Sequence, residues 1–207
     1  MMKTLVLSNN KGLTLVELMV VMVLSLMLMA AVYMTYQLQH ASGQSQTQVT
    51  ATQQDLRAAM DIISHDIMHA GLNPTFATIQ GIPANTSGAA LLESVMDLNS
   101  NGATNGIANA GEHIRYQINA NRQLERVDIN AGVTQVIANN VTQLAFSYFG
   151  TQYSVINPTG PGGTLNNNEA NSVRYVNLTI TKESDQIDSQ TGLPITRALQ
   201  RTICRRN

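Results

Sequence analysis

One carboxylate, Glu17, interrupts a run that is otherwise apolar or uncharged from Leu13 to Tyr36, LTLVELMVVMVLSLMLMAAVYMTY. Near the centre of a membrane-spanning helix a carboxylate costs roughly 2.5–3.5 kcal/mol, and less near an end, so it signals a partner or a function. Between Glu17 and Asp55 the chain has no Asp, Glu, Lys or Arg. Three other groups could do chemistry. His65-Asp66-Ile67-Met68-His69 puts two imidazoles four residues apart on one helix face, and differs from the zinc-protease pattern H-E-x-x-H only by Asp for Glu. The shorter acid would sit differently and no third-ligand motif follows, so a solvated helix edge is the preferred reading. Asp97-Leu-Asn99-Ser-Asn101-Gly102 repeats the start of an EF-hand-type loop, with Asn105 at the ninth position, which makes Asp97, Asn99, Asn101 and Asn105 candidate calcium ligands. The twelfth position is Ala108, so binding would be weak unless Glu112 folds back, and a metal-free loop of Asx-turns is preferred. Cys204 is the only cysteine; it forms no intramolecular disulfide and is expected as a small buried hydrophobe.

The element that must carry Glu17 is a long helix. Residues 13–36 are numerous enough to cross a bilayer at ~1.5 Å per residue. Lys3 and Lys11 precede the span with no acid before Glu17, so the positive-inside rule predicts one span with its N-terminus in the cytoplasm. A secretory signal would have a shorter apolar region and a small-residue cleavage site, and Tyr33-Met-Thr-Tyr36 supplies none. Residues 37–54 turn polar with only Gly43 as a breaker, so the helix can continue. Leu56, Met60, Ile63 and Ile67 then recur at helical spacing until Gly71 and Pro74, the order expected for a C-cap and its stop.

Downstream the pattern changes to strands. Residues 112–118 and 123–129 flank the polar turn 119–122 and read as a hairpin. Residues 141–149, 173–181 and 198–204 add three strands, while 157–168, rich in Pro, Gly and Asn, reads as an exposed loop. The predicted class is α+β, one antiparallel sheet packed on the second half of the helix. With 207 residues, a formal net charge of -1, 12% charged residues and no Trp, the chain offers neither a basic face nor an aromatic platform for nucleic acid.

The residues Lys11-Gly12-Leu13-Thr14-Leu15-Val16-Glu17 resemble the processing motif of type IV prepilins and type II secretion pseudopilins: a short basic leader ending in Gly, an apolar first mature residue, and Glu at the fifth mature position. Leu13 departs from the commoner Phe, and no proline kinks the span. The resemblance implies a type IV pilin-like fold divided into leader (1–12), membrane or filament-core helix (13–36), helix continuation (37–71) and β-rich head (72–207). It implies cleavage between Gly12 and Leu13 by a prepilin peptidase, N-methylation of Leu13, and pairing of Glu17 with a neighbouring subunit's terminal ammonium. Such a pair about 4 Å apart attracts by ~4 kcal/mol at an effective dielectric of 20, enough to offset burying the acid.

More loosely, Asp66-Ile-Met-His-Ala-Gly-Leu72, Ile114-Arg-Tyr116, Asn140-Val-Thr-Gln-Leu-Ala-Phe-Ser-Tyr148 and the terminal Arg206-Asn207 resemble the minor-pilin group PilW, a neighbour of type II secretion pseudopilin J. That resemblance implies a non-enzymatic subunit that helps start or cap a filament, with other minor and major pilins and an inner-membrane assembly platform as partners, a periplasmic head, and no cofactor beyond the calcium considered above. A J-like pseudopilin is the first alternative. A membrane-tethered hydrolase with metal at His65 and His69 is the weaker one.

Overall fold

The apolar repeat in the second half of the long helix dictates where packing begins. In the computed structural model, which describes residues 14–73, 79–98, 109–189 and 191–205, helix α1 (Leu15–His69) is continuous. The chain divides into two compact units, one ending at Gln44 and one beginning at Ser45. In the first, the large hydrophobic side chains from Leu15 to Leu38 are 50% to 76% exposed, and this part of α1 is long and apolar enough to cross a membrane. In the second, Leu56, Ala59, Met60, Ile63 and Ile67 are buried at intervals of three and four, as predicted. Burying each larger side chain of that stripe contributes roughly 1.5–3 kcal/mol.

Gly71 ends α1 as the sequence predicts. Its φ of 84° is the left-handed conformation that a side chain would strain, and its N–H donates to Val95 O at 2.8 Å. Pro74 lies outside the described residues. The helix end is thus tied at once to β1 (Leu92–Val95), the first strand of the head.

Among the described residues the head holds two antiparallel sheets of four strands rather than the single sheet expected. In the first, β1, β2 (His113–Ile118), β3 (Leu124–Asp128) and β4 (Val133–Ala138) lie in chain order. In the second, β5 (Val141–Phe149), β6 (Val155–Ile156), β7 (Tyr175–Ile187) and β8 (Pro194–Cys204) are ordered β6-β5-β7-β8. The switch is local: Asn140 has a φ of 54°, a turn conformation that Asn tolerates, and Val141 N then donates to Arg122 O at 2.8 Å. Inward residues alternate on β2 (Ile114, Tyr116), β5 (Leu144, Phe146, Tyr148) and β7 (Val176, Leu178, Ile180), and all join one core with the α1 stripe.

Two expectations need correction. The segment 157–168 is largely exposed, but Leu165 within it is fully buried, and helix α2 (Asn167–Ser172) starts before the segment ends. Asn166 and Glu169 form a reciprocal capping box there, an Asn-x-x-Glu signal that turn-rich composition masked. Cys204 is exposed, because it falls on the solvent side of the β8 alternation, opposite Ile203.

Candidate functional site

Thr14 fixes the start of α1: its carbonyl accepts from Leu18 N at 3.1 Å and its Oγ1 from Glu17 N at 3.3 Å, the N-cap arrangement. Glu17 therefore occupies the first turn, where unpaired backbone N–H groups favour negative charge. Further along, Ser25 Oγ donates to Val21 O at 2.7 Å and Thr35 Oγ1 to Ala31 O at 3.0 Å. These bonds satisfy both hydroxyls within the helix, so neither needs water or a partner in an apolar medium. Glu17 differs. Its carboxylate is exposed and has no side-chain partner among the described residues. Gly12 and Leu13 lie outside them.

The histidine pair does share a face of α1, with ring centroids 4.3 Å apart; His65 is exposed and His69 half-buried. His69 Nδ1 donates to His65 O at 2.8 Å. The intervening acid, Asp66, has Oδ1 3.4 Å from His65 Nδ1, while its Oδ2 accepts from Tyr116 Oη at 2.5 Å and from Arg126 Nε at 3.0 Å, inside the head. Burial first, and then the Asp66 carboxylate, push the Tyr116 phenol upwards, so it stays a neutral donor. Among the described residues no group of three or more His, Cys, Asp or Glu side chains is placed to hold a metal.

Of the candidate calcium ligands, Asn99, Asn101 and Asn105 lie outside the described residues. Asp97, just after β1, is fully buried. Glu112 is fully buried as well, and it ties the two ends of that loop: its Oε1 accepts from Leu98 N at 3.3 Å, and its Oε2 from Asn109 N at 3.0 Å and Asn109 Nδ2 at 3.1 Å. Glu112 thus has a structural task of its own.

Two charged clusters escaped sequence reasoning. Glu93 on β1 has a side chain 2% exposed and accepts from His113 Nε2 at 2.9 Å and Arg115 Nε at 2.7 Å, both on β2. Burial alone would raise its pKa; hydrogen bonds from His113, Arg115 and Thr86, with the Arg115 charge, outweigh burial and hold it at about 2. Lys182 on β7, 2% exposed, donates to Asp55 on α1 at 2.8 Å and to Asp185 at 3.3 Å. It continues the inward row of Val176, Leu178 and Ile180, and that alternation is the one signal that could have placed it. All these groups are paired within the head, so they hold elements together.

Two family models match the chain. The family described as prokaryotic N-terminal methylation motif matches residues 7–33. The family described as prepilin peptidase-dependent protein B matches residues 45–203, most of the chain. No curated protein matches. The span and the motif together fit a single-pass inner-membrane protein.

Proposed function

The chain belongs to the prepilin peptidase-dependent protein B family, and on that premise we propose that it is a minor pilin: a structural, non-enzymatic subunit helping to start or cap a type IV pilus. In this reading the peptidase cuts between Gly12 and Leu13, Leu13 is N-methylated, and the head lies on the periplasmic side until the subunit enters the filament. The single observation that carries it is Glu17, a carboxylate without a side-chain partner among the described residues, in the first turn of an exposed apolar helix, inside the matched methylation motif. An ammonium created at Leu13 in a neighbouring subunit would supply the missing charge as apolar helices bundle.

Mass measurement of the N-terminus tests this. Protein from cells with an active prepilin peptidase should begin at a methylated Leu13, and Gly12→Phe should leave the longer precursor in the membrane. Recovery of the wild-type chain still carrying Met1 from such cells would overturn the proposal.

A further inference from the structure

The outer strand of the second sheet is long and open. β8 pairs with β7 from Cys204 opposite Tyr175 to Pro194 opposite Ile187, and among the described residues no strand pairs with its other edge. Arg205 N donates to Arg174 O at 2.9 Å and Ile195 N to Ser184 Oγ at 2.9 Å, so odd-numbered residues of β8 turn their backbone groups to β7. By the alternation of an antiparallel ladder, Thr196, Ala198, Gln200 and Thr202 turn theirs outward. All four are exposed. Natural edges are usually blunted by brevity, by Pro or by inward charges; this one is long, has its only Pro at the start, Pro194, and carries Arg197 and Arg201 on its α1-facing side.

Beside that edge, Gln53, Leu56 and Arg57 of α1 and Arg197, Ala198 and Leu199 of β8 line a groove of about 150 Å³. Leu56 and the half-buried Leu199 give it an apolar floor, and Arg57 and Arg197 a positive rim. Arg201, next on the same face, is paired with Asp61 at 2.6 Å, whereas Arg57 and Arg197 are exposed and have no ion pair among the described residues.

We propose that the open edge of β8 and the Arg57–Arg197 groove together dock an extended segment of another protein, added as a strand beside β8, with an aliphatic and an acidic side chain turned into the groove. Backbone groups of Thr196, Ala198, Gln200 and Thr202 supply the ladder, and the two arginines select for carboxylates. A second copy of β8 fits worse. Laid antiparallel with Ala198 opposite Gln200, it would set Arg197 against Arg201 twice, and like charges across a strand pair are destabilising. The inference rests on the head alone. Failure of leader cleavage would leave it standing, and its own failure would leave the cleavage reading intact.

Residue-resolved amide hydrogen exchange on the full chain in detergent tests it, with a soluble peptide of about nine Thr and Val residues carrying Glu at two alternate positions as probe and its Lys counterpart as control. The Glu peptide should slow exchange at Thr196, Ala198, Gln200 and Thr202, and the Lys peptide should not. The Arg57→Glu, Arg197→Glu double variant should weaken binding of the Glu peptide about tenfold or more. Gln200→Pro removes an outward N–H and should abolish binding while the amides of Leu199 and Arg201, which face β7, stay protected as a check on the fold. Equal protection by both peptides, none by either, or the same protection appearing with protein concentration alone would overturn the proposal; the last would make a second copy the occupant.

Discussion

Glu93 survives as a carboxylate inside the head because His113 and Arg115 reach it from the neighbouring strand. Its pKa, about 2 in the fold against an ordinary 4.5, means that the unfolded chain takes up a proton first as pH falls. The stability it contributes is therefore complete above about pH 4.5 and drains away towards pH 2, on the order of 3 kcal/mol in all. Denaturant titrations across that window should show the loss, and Glu93→Gln should flatten its pH dependence while lowering stability near neutrality. Asp66, inside the His65–His69 motif, is likewise held by partners that the motif does not name. The spacing of His65 and His69 was legible in the sequence; that the acid between them faces Tyr116 and Arg126 depends on two strands, 50 and 60 residues away.

Elements were legible where burial is one-sided. The α1 stripe, the Gly71 cap and most of β2, β3, β5, β7 and β8 follow from periodicity. β1 was not legible, because all four of its residues, Leu92, Glu93, Ser94 and Val95, are buried and two are polar, so no alternation marks it. β4 was hidden for the opposite reason: four of its six residues are exposed. The junction of α1 with β1 is the tightest feature at this scale. Val95 N donates to Gly81 O at 2.8 Å, and a Cβ on Gly81 would lie 2.4 Å from Gly71 N and 2.5 Å from Ala70 C, both backbone atoms that cannot swing aside. Gly81→Ala should therefore destabilise the head by about 1–3 kcal/mol, read as a lower denaturation midpoint with little change in secondary structure.

At the scale of the whole molecule, the apolar first unit and the packed head answer different demands. A helix whose large hydrophobic side chains from Leu15 to Leu38 are exposed needs lipid or like helices around it, and one acid in its first turn can set their register. Glu17→Ala should leave cleavage at Gly12 intact yet lower incorporation into filaments by about tenfold or more, since ~1.4 kcal/mol is a factor of ten and the proposed pair would attract by ~4 kcal/mol at about 4 Å and a dielectric of 20 before desolvation is counted. Quantitative blotting of sheared filaments against membranes would measure it. The linear order of residues alone determined the span, its lone acid and the helical stripe that follows, because each is written in neighbours a few positions apart. Only the tertiary structure decided that the strands form two sheets, that Lys182 and Glu93 are buried with their counter-charges, and that no described strand covers the outer edge of β8. Those outcomes depend on which distant segments meet, and pairing between residues 20 to 127 positions apart leaves no local trace.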